Sequence, residues 1–360
     1  MPPPNASTQV NPHRWKWILA SVLAPLTIIL LVARFWHPRT RDTLQVSGAA
    51  VGTPKWLLLA SSDVDHATNG CPEDLVIPFT SEAVSFANIT DACATEVSVF
   101  ADGYAPVLVS KPNWTSGADV VDVTLPPPWI VDLRVVAEYP AATDTAKAAV
   151  DVANATLSQY RAGIIVTMTG GVMVIDPATD GRAATIRGGQ VYGAGCGDPI
   201  AKDLTLYDPG SGQIFVFFID APPRWNLGDS DWGYDCDSRP NIIFVRRGAR
   251  LETLAHELGH AIGLKHVGAG NDLISYGWTA DNLMQSSAFD PAITKPVGRL
   301  TLGQVYRASF DAVSWLQAGH IRTGESKTCQ AVSAPDSIYN DPVSTATERW
   351  PCPRGTLDWP

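Results

Sequence analysis

Short runs in which apolar and polar residues alternate fill the chain between residues 56 and 125. Val97 and Val99 are spaced two apart, and Val107 and Val109 repeat that spacing shortly afterwards. A period of two is typical of β-strands with one buried face, and turn residues separate the runs. The pattern predicts a small β-sandwich over residues 56–125, closed by a run of three prolines.

A different organisation begins at Trp129. The sequence from there reads as a strand, a helix with apolar residues at helical spacing over 143–160, and a second strand over 162–168. A crossover helix joins parallel strands, so this unit favours a parallel sheet. Further strands are predicted over 213–220 and 241–247.

Two later segments have the helical period. Apolar residues over 251–262 recur three and four positions apart, which predicts an amphipathic helix packed on a core. The segment 300–316 has the same spacing and predicts a final helix. The tail 321–360 has no period and is predicted to be irregular, pinned by Cys329 and Cys352.

The N-terminal region contains one long apolar run. After a polar tail over residues 1–16, the run predicts a transmembrane helix within 17–36, with Trp15, Trp17 and Trp36 as interfacial anchors. A cleaved signal peptide is the alternative; the anchor is favoured because no cleavage site of small residues follows. Residues 37–55 are polar and predict a linker.

Charge and cysteine content limit the partners and the compartment. The chain has 360 residues, with 26 basic and 36 acidic ones, and this balance argues against nucleic acid as a partner. Six cysteines without a C-x-x-C pair favour disulfides in an oxidising compartment. The predicted location is a single-pass membrane anchor with an extracytoplasmic body, or a secreted protein if the helix is cleaved. The simplest pairing is Cys71 with Cys93, Cys196 with Cys236, and Cys329 with Cys352.

Candidate chemistry is concentrated in the sequence HELGHAIGLKH. His256 and His260 are four residues apart on one helix face, within reach of a single metal ion. Glu257 lies beside the first ligand, where its carboxylate can accept the proton of a water. Gly263 can take a positive φ and end the helix, which lets His266 return as a third ligand. Three imidazoles with one open position predict a catalytic zinc site.

This stretch, His256–His266, resembles the zinc signature of the metzincin metallopeptidases. The resemblance implies that the three histidines bind zinc and that Glu257 is the general base. Metzincins also have a methionine in a tight turn below the metal. Met284, in the context Asn-Leu-Met, resembles the Met-turn of secreted bacterial members, with the subfamily left open. The similarity implies a zinc peptidase domain over 129–320.

The predicted fold class is α+β. It comprises a metzincin catalytic domain with a mixed twisted sheet, a zinc-binding helix and a C-terminal helix. A small all-β domain and an N-terminal transmembrane helix precede it. The sequence ADGYAPVLV resembles the prealbumin-like modules attached to secreted peptidases. A generic accessory domain or a prodomain remains the alternative for 56–125.

The predicted function is that of a zinc-dependent endopeptidase with one catalytic ion. Its partner would be a protein or peptide substrate, lying along an edge strand near the sequence DWGYDCD and upstream of the zinc helix. The alternatives are a non-catalytic binding or adhesion protein on the same scaffold and a zinc hydrolase of a non-peptide amide. The oligomeric state is left open.

Two weaker patterns suggest a calcium site and glycosylation sites. An acidic loop offers oxygen ligands for Ca²⁺, although a solvated loop is the favoured interpretation. The chain also has formal glycosylation sequons, a short pattern that arises easily by chance. The acidic residues are Asp229, Asp231, Asp235 and Asp237, and three sequons beyond the N-terminal tail begin at Asn88, Asn113 and Asn154.

Overall fold

The fold is known from a computed structural model. It describes residues 41–60, 75–87, 96–109, 120–137, 142–175, 213–219, 231–232, 242–264, 282–284, 298–311, 314–317 and 357–360. All six cysteines, His266 and the predicted transmembrane span lie outside these ranges.

The described residues form thirteen strands and three helices. The strands are β1 Arg41–Ser47, β2 Lys55–Ala60, β3 Leu75–Phe79, β4 Ala83–Ala87, β5 Glu96–Ala101, β6 Tyr104–Val109, β7 Val120–Thr124, β8 Trp129–Ala137, β9 Ile164–Thr167, β10 Val172–Val174, β11 Gln213–Ile219, β12 Asp231–Trp232 and β13 Ile242–Arg246. The helices are α1 Ala142–Gln159, α2 Glu252–Ala261 and α3 Leu302–Phe310.

Two small sheets occupy the first part of the chain. One has the order β4-β1-β7, and the other is the antiparallel sheet β3-β2-β5-β6. Strand β2 is buried on both faces: Leu57 and Leu59 face a core shared with the three-stranded sheet, whereas Trp56 and Leu58 belong to the core around α2. Burial of both faces explains why β2 reads as a continuous apolar run and not as an alternation.

The third sheet has the order β10-β8-β11-β13-β12, with β9 pairing along the first part of β8. Its strand pairs are parallel except for β12, which runs antiparallel to β13. The predicted strand–helix–strand unit is confirmed, since β8 and β9 are parallel and α1 joins them. Helix α2 packs against α1 and β13, and this contact fixes the helix on the sheet.

The predicted fold class, an α+β metzincin domain behind a transmembrane helix, is wrong. The part of the chain that the structure describes is mostly β-sheet. The fold class was carried over from a motif of eleven residues, whereas β-branched and aromatic runs elsewhere determine how much sheet forms.

The prediction of a single-pass membrane anchor is also wrong. Within the described ranges, no helix has the length and apolar character needed to cross a bilayer. The predicted span 17–36 lies outside those ranges.

The predicted linker over 37–55 also needs correction. Strand β1 lies inside it and pairs with both β4 and β7. Leu44 and Val46 are buried, and the polar residues between and beside them face outward, so a period of two is present but spans too few positions to be recognised.

Aromatic packing joins the four-stranded sheet to the C-terminal residues and to the end of α1. The ring of Trp359 contacts Trp56 and Phe100 edge to face, and its Nε1 donates to the Leu300 carbonyl. The Arg161 guanidinium lies over the Trp56 ring, 3.9 Å from its centre, and within 4.9 Å of the Trp359 ring. These contacts form a continuous apolar core from β2 to α3.

Candidate metal centre

Helix α2 presents the residues of the predicted motif from a buried position. Leu254, Ala255 and Leu258 are buried on its apolar side, as the helical spacing predicts. His256 and Glu257 are also buried, each 1% exposed, while His260 is partly exposed. His256 is therefore part of the core, and His260 lies at the boundary between core and solvent.

The two imidazoles meet through their Nε2 atoms, which are 3.2 Å apart. Each Nδ1 atom is engaged elsewhere: that of His256 donates to the Leu283 carbonyl at 2.6 Å, and that of His260 donates to the Leu264 carbonyl at 2.8 Å. A carbonyl only accepts, so both Nδ1 atoms carry the hydrogen. In the neutral rings, both Nε2 atoms are then lone-pair acceptors that face each other.

This arrangement suits a shared cation. Two lone pairs that converge at 3.2 Å repel each other, and a positive ion placed between them would remove the repulsion. Two nitrogen ligands at the usual Zn–N distance of about 2.0–2.1 Å in a tetrahedral site lie about 3.3 Å apart, close to the observed separation. A carbonyl on the second ring nitrogen is also the usual way in which a metal-binding histidine is oriented. The two residues therefore fit a tetrahedral metal ion.

The end of α2 orients His260. Gly263 has φ of +89°, its N–H donates to the His260 carbonyl, and the N–H of Leu264 donates to the Gly259 carbonyl. These two bonds form a Schellman motif, for which a glycine at this position is favoured. The turn brings the Leu264 carbonyl back to the His260 ring. Gly263 lies in the turn that ends α2, where the sequence predicts the helix exit, and the same turn holds the second histidine.

Met284 lies directly below α2 and is fully buried. Its side chain occupies the space that a Cβ on Gly259 would need: such a Cβ would lie 3.1 Å from Met284 Cε and closer still to Sδ. Met284 therefore packs against α2 at Gly259, and the Met-turn role that the resemblance implies stays a prediction. Gly259 was not singled out in the sequence, although a glycine inside a buried helix is a signal of close approach.

The turn that contains Met284 is held by a buried amide pair. Asn282 Nδ2 donates to Gln304 Oε1 at 3.0 Å, and Gln304 Nε2 donates back to Asn282 Oδ1 at 3.2 Å. Gln304 belongs to a capping box at the start of α3 with Thr301. The spacing of Thr301 and Gln304 signals a capping box in the sequence, but nothing in it reveals the partnership with Asn282.

Several predicted features lie outside the described residues. Within those residues, no group of three or more His, Cys, Asp or Glu side chains is placed to hold a metal, and His266 lies beyond them. Only Asp231 of the acidic loop is described, as part of β12. The cysteine pairing is likewise outside the described ranges.

The side chain of Asn154, the first residue of one sequon, is hydrogen-bonded to the backbone of Val166. Its side-chain Nδ2 donates to the Val166 carbonyl, and its Oδ1 accepts from the Val166 N–H, each at 2.6 Å. This pair of bonds ties α1 to β9. The amide nitrogen that would carry a glycan is therefore used in the fold.

Comparisons with known proteins add little to this geometry. No model of a protein family matches the sequence, and no curated protein matches it. One solved structure, described as a chaperone–substrate complex, aligns at 15% identity with a TM-score of 0.31, covering 66% of this chain and 42% of the other. The chain thus spans less than half of that structure. At this score the likeness carries no argument about fold or function.

Proposed function

We propose that the protein is a zinc-dependent endopeptidase. The observation that carries the proposal is the pair of Nε2 atoms 3.2 Å apart, with each opposite ring nitrogen fixed by a backbone carbonyl. An ordinary pair of core histidines has no need for two anchored rings whose acceptor atoms converge. Glu257, adjacent on the same helix, supplies the further group that peptide hydrolysis requires.

In this proposal His256, His260 and His266 would hold the ion, and its fourth position would stay open for water and substrate. Zinc, when bound, supplies a Lewis acid that makes water more acidic and polarises a carbonyl. Glu257 accepts the proton of the attacking water and delivers it to the leaving amine. Burial of this carboxylate keeps bulk water away from the proton that it transfers.

The substrate is proposed to lie along β12. Among the described strands, β12 ends the order of the third sheet and pairs on one side with β13. An extended peptide can add to such an edge through main-chain hydrogen bonds, which suits a protease that acts on unfolded chains. The sequence likewise predicts that substrate binds an edge strand near DWGYDCD, upstream of α2.

The test compares wild type with Glu257→Gln in the full-length chain, measuring bound zinc and cleavage of an unfolded protein. The amide keeps the size of the carboxylate but cannot accept the proton, so we expect normal zinc content and a loss of activity of about 10²–10⁴-fold. Glu252→Gln is the matched control, since it makes the same change at the start of α2, where the carboxylate pairs with Arg250. It should keep both zinc and activity.

Two results would contradict the proposal. Full activity in Glu257→Gln would remove the proposed base. A wild-type protein that binds one zinc ion and cleaves no peptide bond would favour a non-catalytic binding protein on the same scaffold.

A further inference from the structure

The peptide unit between Leu283 and Met284 connects the Met-turn to the first histidine. Its carbonyl, on Leu283, accepts from His256 Nδ1 at 2.6 Å, and its N–H, on Met284, donates to Asn282 Oδ1 at 2.9 Å. A peptide unit is rigid and planar, so fixing the N–H also fixes the direction of the carbonyl. The Asn282 side chain therefore sets the acceptor that orients the His256 ring.

The Asn282 side chain is itself held in one orientation. Gln304 Oε1 accepts from the Thr301 N–H at 2.9 Å, which assigns that atom as oxygen. Its Nε2 is then the donor to Asn282 Oδ1, and Asn282 Nδ2 is the donor to Gln304 Oε1. Each amide admits only the orientation shown, and the Oδ1 that holds the Met284 N–H cannot exchange with Nδ2.

Burial makes this chain of contacts stiff. Asn282 is 1% exposed and Gln304 is 0% exposed, so water is not at hand to replace either amide. Leu283 is pinned on its other side as well, since its N–H donates to the Arg299 carbonyl. A buried amide that loses its partner has no substitute, and the turn must then shift.

We propose that Asn282 and Gln304 are positioning residues for the metal site, and that they raise its zinc affinity by fixing the His256 ring. This inference rests on the proposed zinc function. Partners that orient a metal-binding histidine typically contribute 10–100-fold in metal affinity. We expect a loss of that size when the amide pair is broken.

The experiment measures zinc affinity by competition with a chromophoric chelator, and urea unfolding of the zinc-free protein, both in the full-length chain. Asn282→Ala removes the contact to the Met284 N–H, and Gln304→Met removes both bonds to Asn282 at nearly constant volume. We expect each to lower zinc affinity 10–100-fold. The double variant should bind zinc about as weakly as Asn282→Ala alone, because both changes act through one contact.

Thr301→Val is the matched control. It removes the hydroxyl, which caps α3 by accepting from the Gln304 N–H and also donates to Gln304 Oε1 at 3.4 Å. The shorter bond to Oε1, from the backbone N–H of residue 301 at 2.9 Å, is left in place. The variant should lower stability in urea and leave zinc affinity within about threefold of wild type. Asn282→Asp keeps Oδ1 for the Met284 N–H and should recover part of the zinc affinity lost in Asn282→Ala. This variant also tests the contact if Asn282→Ala does not fold.

The outcomes separate this inference from the proposed function. If wild type binds zinc and Asn282→Ala and Gln304→Met bind it equally well, the inference is overturned and the peptidase proposal stands. If Thr301→Val loses as much affinity as Gln304→Met, the amide pair is merely structural and the inference again fails. A wild type that binds zinc no better than His256→Ala would overturn both.

Discussion

The contact between Gly259 and Met284 allows a quantitative prediction about the metal centre. Glycine inside a helix normally costs about 1 kcal/mol relative to alanine. On propensity alone, Gly259→Ala should therefore stabilise α2. The structure predicts otherwise, because the new methyl group would lie 3.1 Å from Met284 Cε and closer to Sδ, in a fully buried place.

The size of the conflict follows from the packing. Overfilling a core costs about 1–3 kcal/mol, and methionine can turn about its terminal bonds, so the lower part of that range, about 1–2 kcal/mol, is expected here. In wild type this cancels or exceeds the propensity gain, and Gly259→Ala should change the free energy of unfolding by between zero and about 1 kcal/mol of destabilisation. In a Met284→Ala background the conflict is absent, and the same change should stabilise by about 1 kcal/mol.

The assay is urea unfolding of the zinc-free protein for wild type, Gly259→Ala, Met284→Ala and the double variant. The difference between the two backgrounds is a coupling free energy, expected at about 1–2 kcal/mol. Met284→Ala alone should cost about 2–5 kcal/mol, since it leaves a cavity below α2. A coupling near zero, with Gly259→Ala stabilising both backgrounds equally, would refute the close approach of Met284 to the helix.

Three further predictions concern Gly263 in the candidate site and two polar side chains elsewhere in the fold, Asn154 and Asp132. Gly263→Ala places a side chain at φ of +89°, so we expect the free energy of unfolding in urea to fall by about 1–3 kcal/mol. Zinc binding should also weaken, because the Leu264 carbonyl would shift. Unchanged zinc affinity would show that the turn does not hold His260. Asn154→Asp removes the donor to Val166, which should cost about 1–3 kcal/mol, and mass spectrometry of the protein from a glycosylating host should find no glycan at residue 154 in the folded wild type. Burial alone would raise the pKa of Asp132, but its hydrogen bonds outweigh that effect and hold the pKa below its usual value. The ionised carboxylate therefore stabilises the fold above the unfolded pKa of about 3.9. This stability is lost as pH falls through the folded pKa. The stability difference between wild type and Asp132→Asn should be constant near neutral pH and shrink in acid; a difference independent of pH would contradict this assignment.

Much of the candidate site could be predicted from the sequence because helix geometry is local. The spacing of His256 and His260 places both rings on one face in any α-helix, and a glycine after the helix predicts the turn at Gly263. The strand–helix–strand unit from Trp129 was likewise predictable, since its periods are read from neighbouring residues. These features depend on contacts within a few positions along the chain.

The fold class could not be obtained in the same way. The resemblance of HELGHAIGLKH to a family implies an α+β fold, whereas the described residues are mostly β-sheet. The membrane anchor was predicted separately, from the apolar run within 17–36, and no described helix is long and apolar enough to cross a bilayer. Strand β1 is not predicted, because a few alternating positions do not distinguish a strand from a polar linker. Its pairing with β4 and β7 identifies it as a strand. Sheet content depends on pairing between distant segments, and local periods do not specify it.

The sequence by itself determined which side chains carry the candidate chemistry: two histidines and a glutamate on one helix, a glycine that ends it, and Met284 downstream. Only the tertiary structure decided how those side chains are held. The Leu283 and Leu264 carbonyls orient the two rings, and the pairing of Asn282 with Gln304, 22 positions apart, fixes one of those carbonyls. Backbone carbonyls have no sequence signature, and buried amides find their partners only when the chain packs. The groups that orient the histidine rings could therefore be identified only from the tertiary structure.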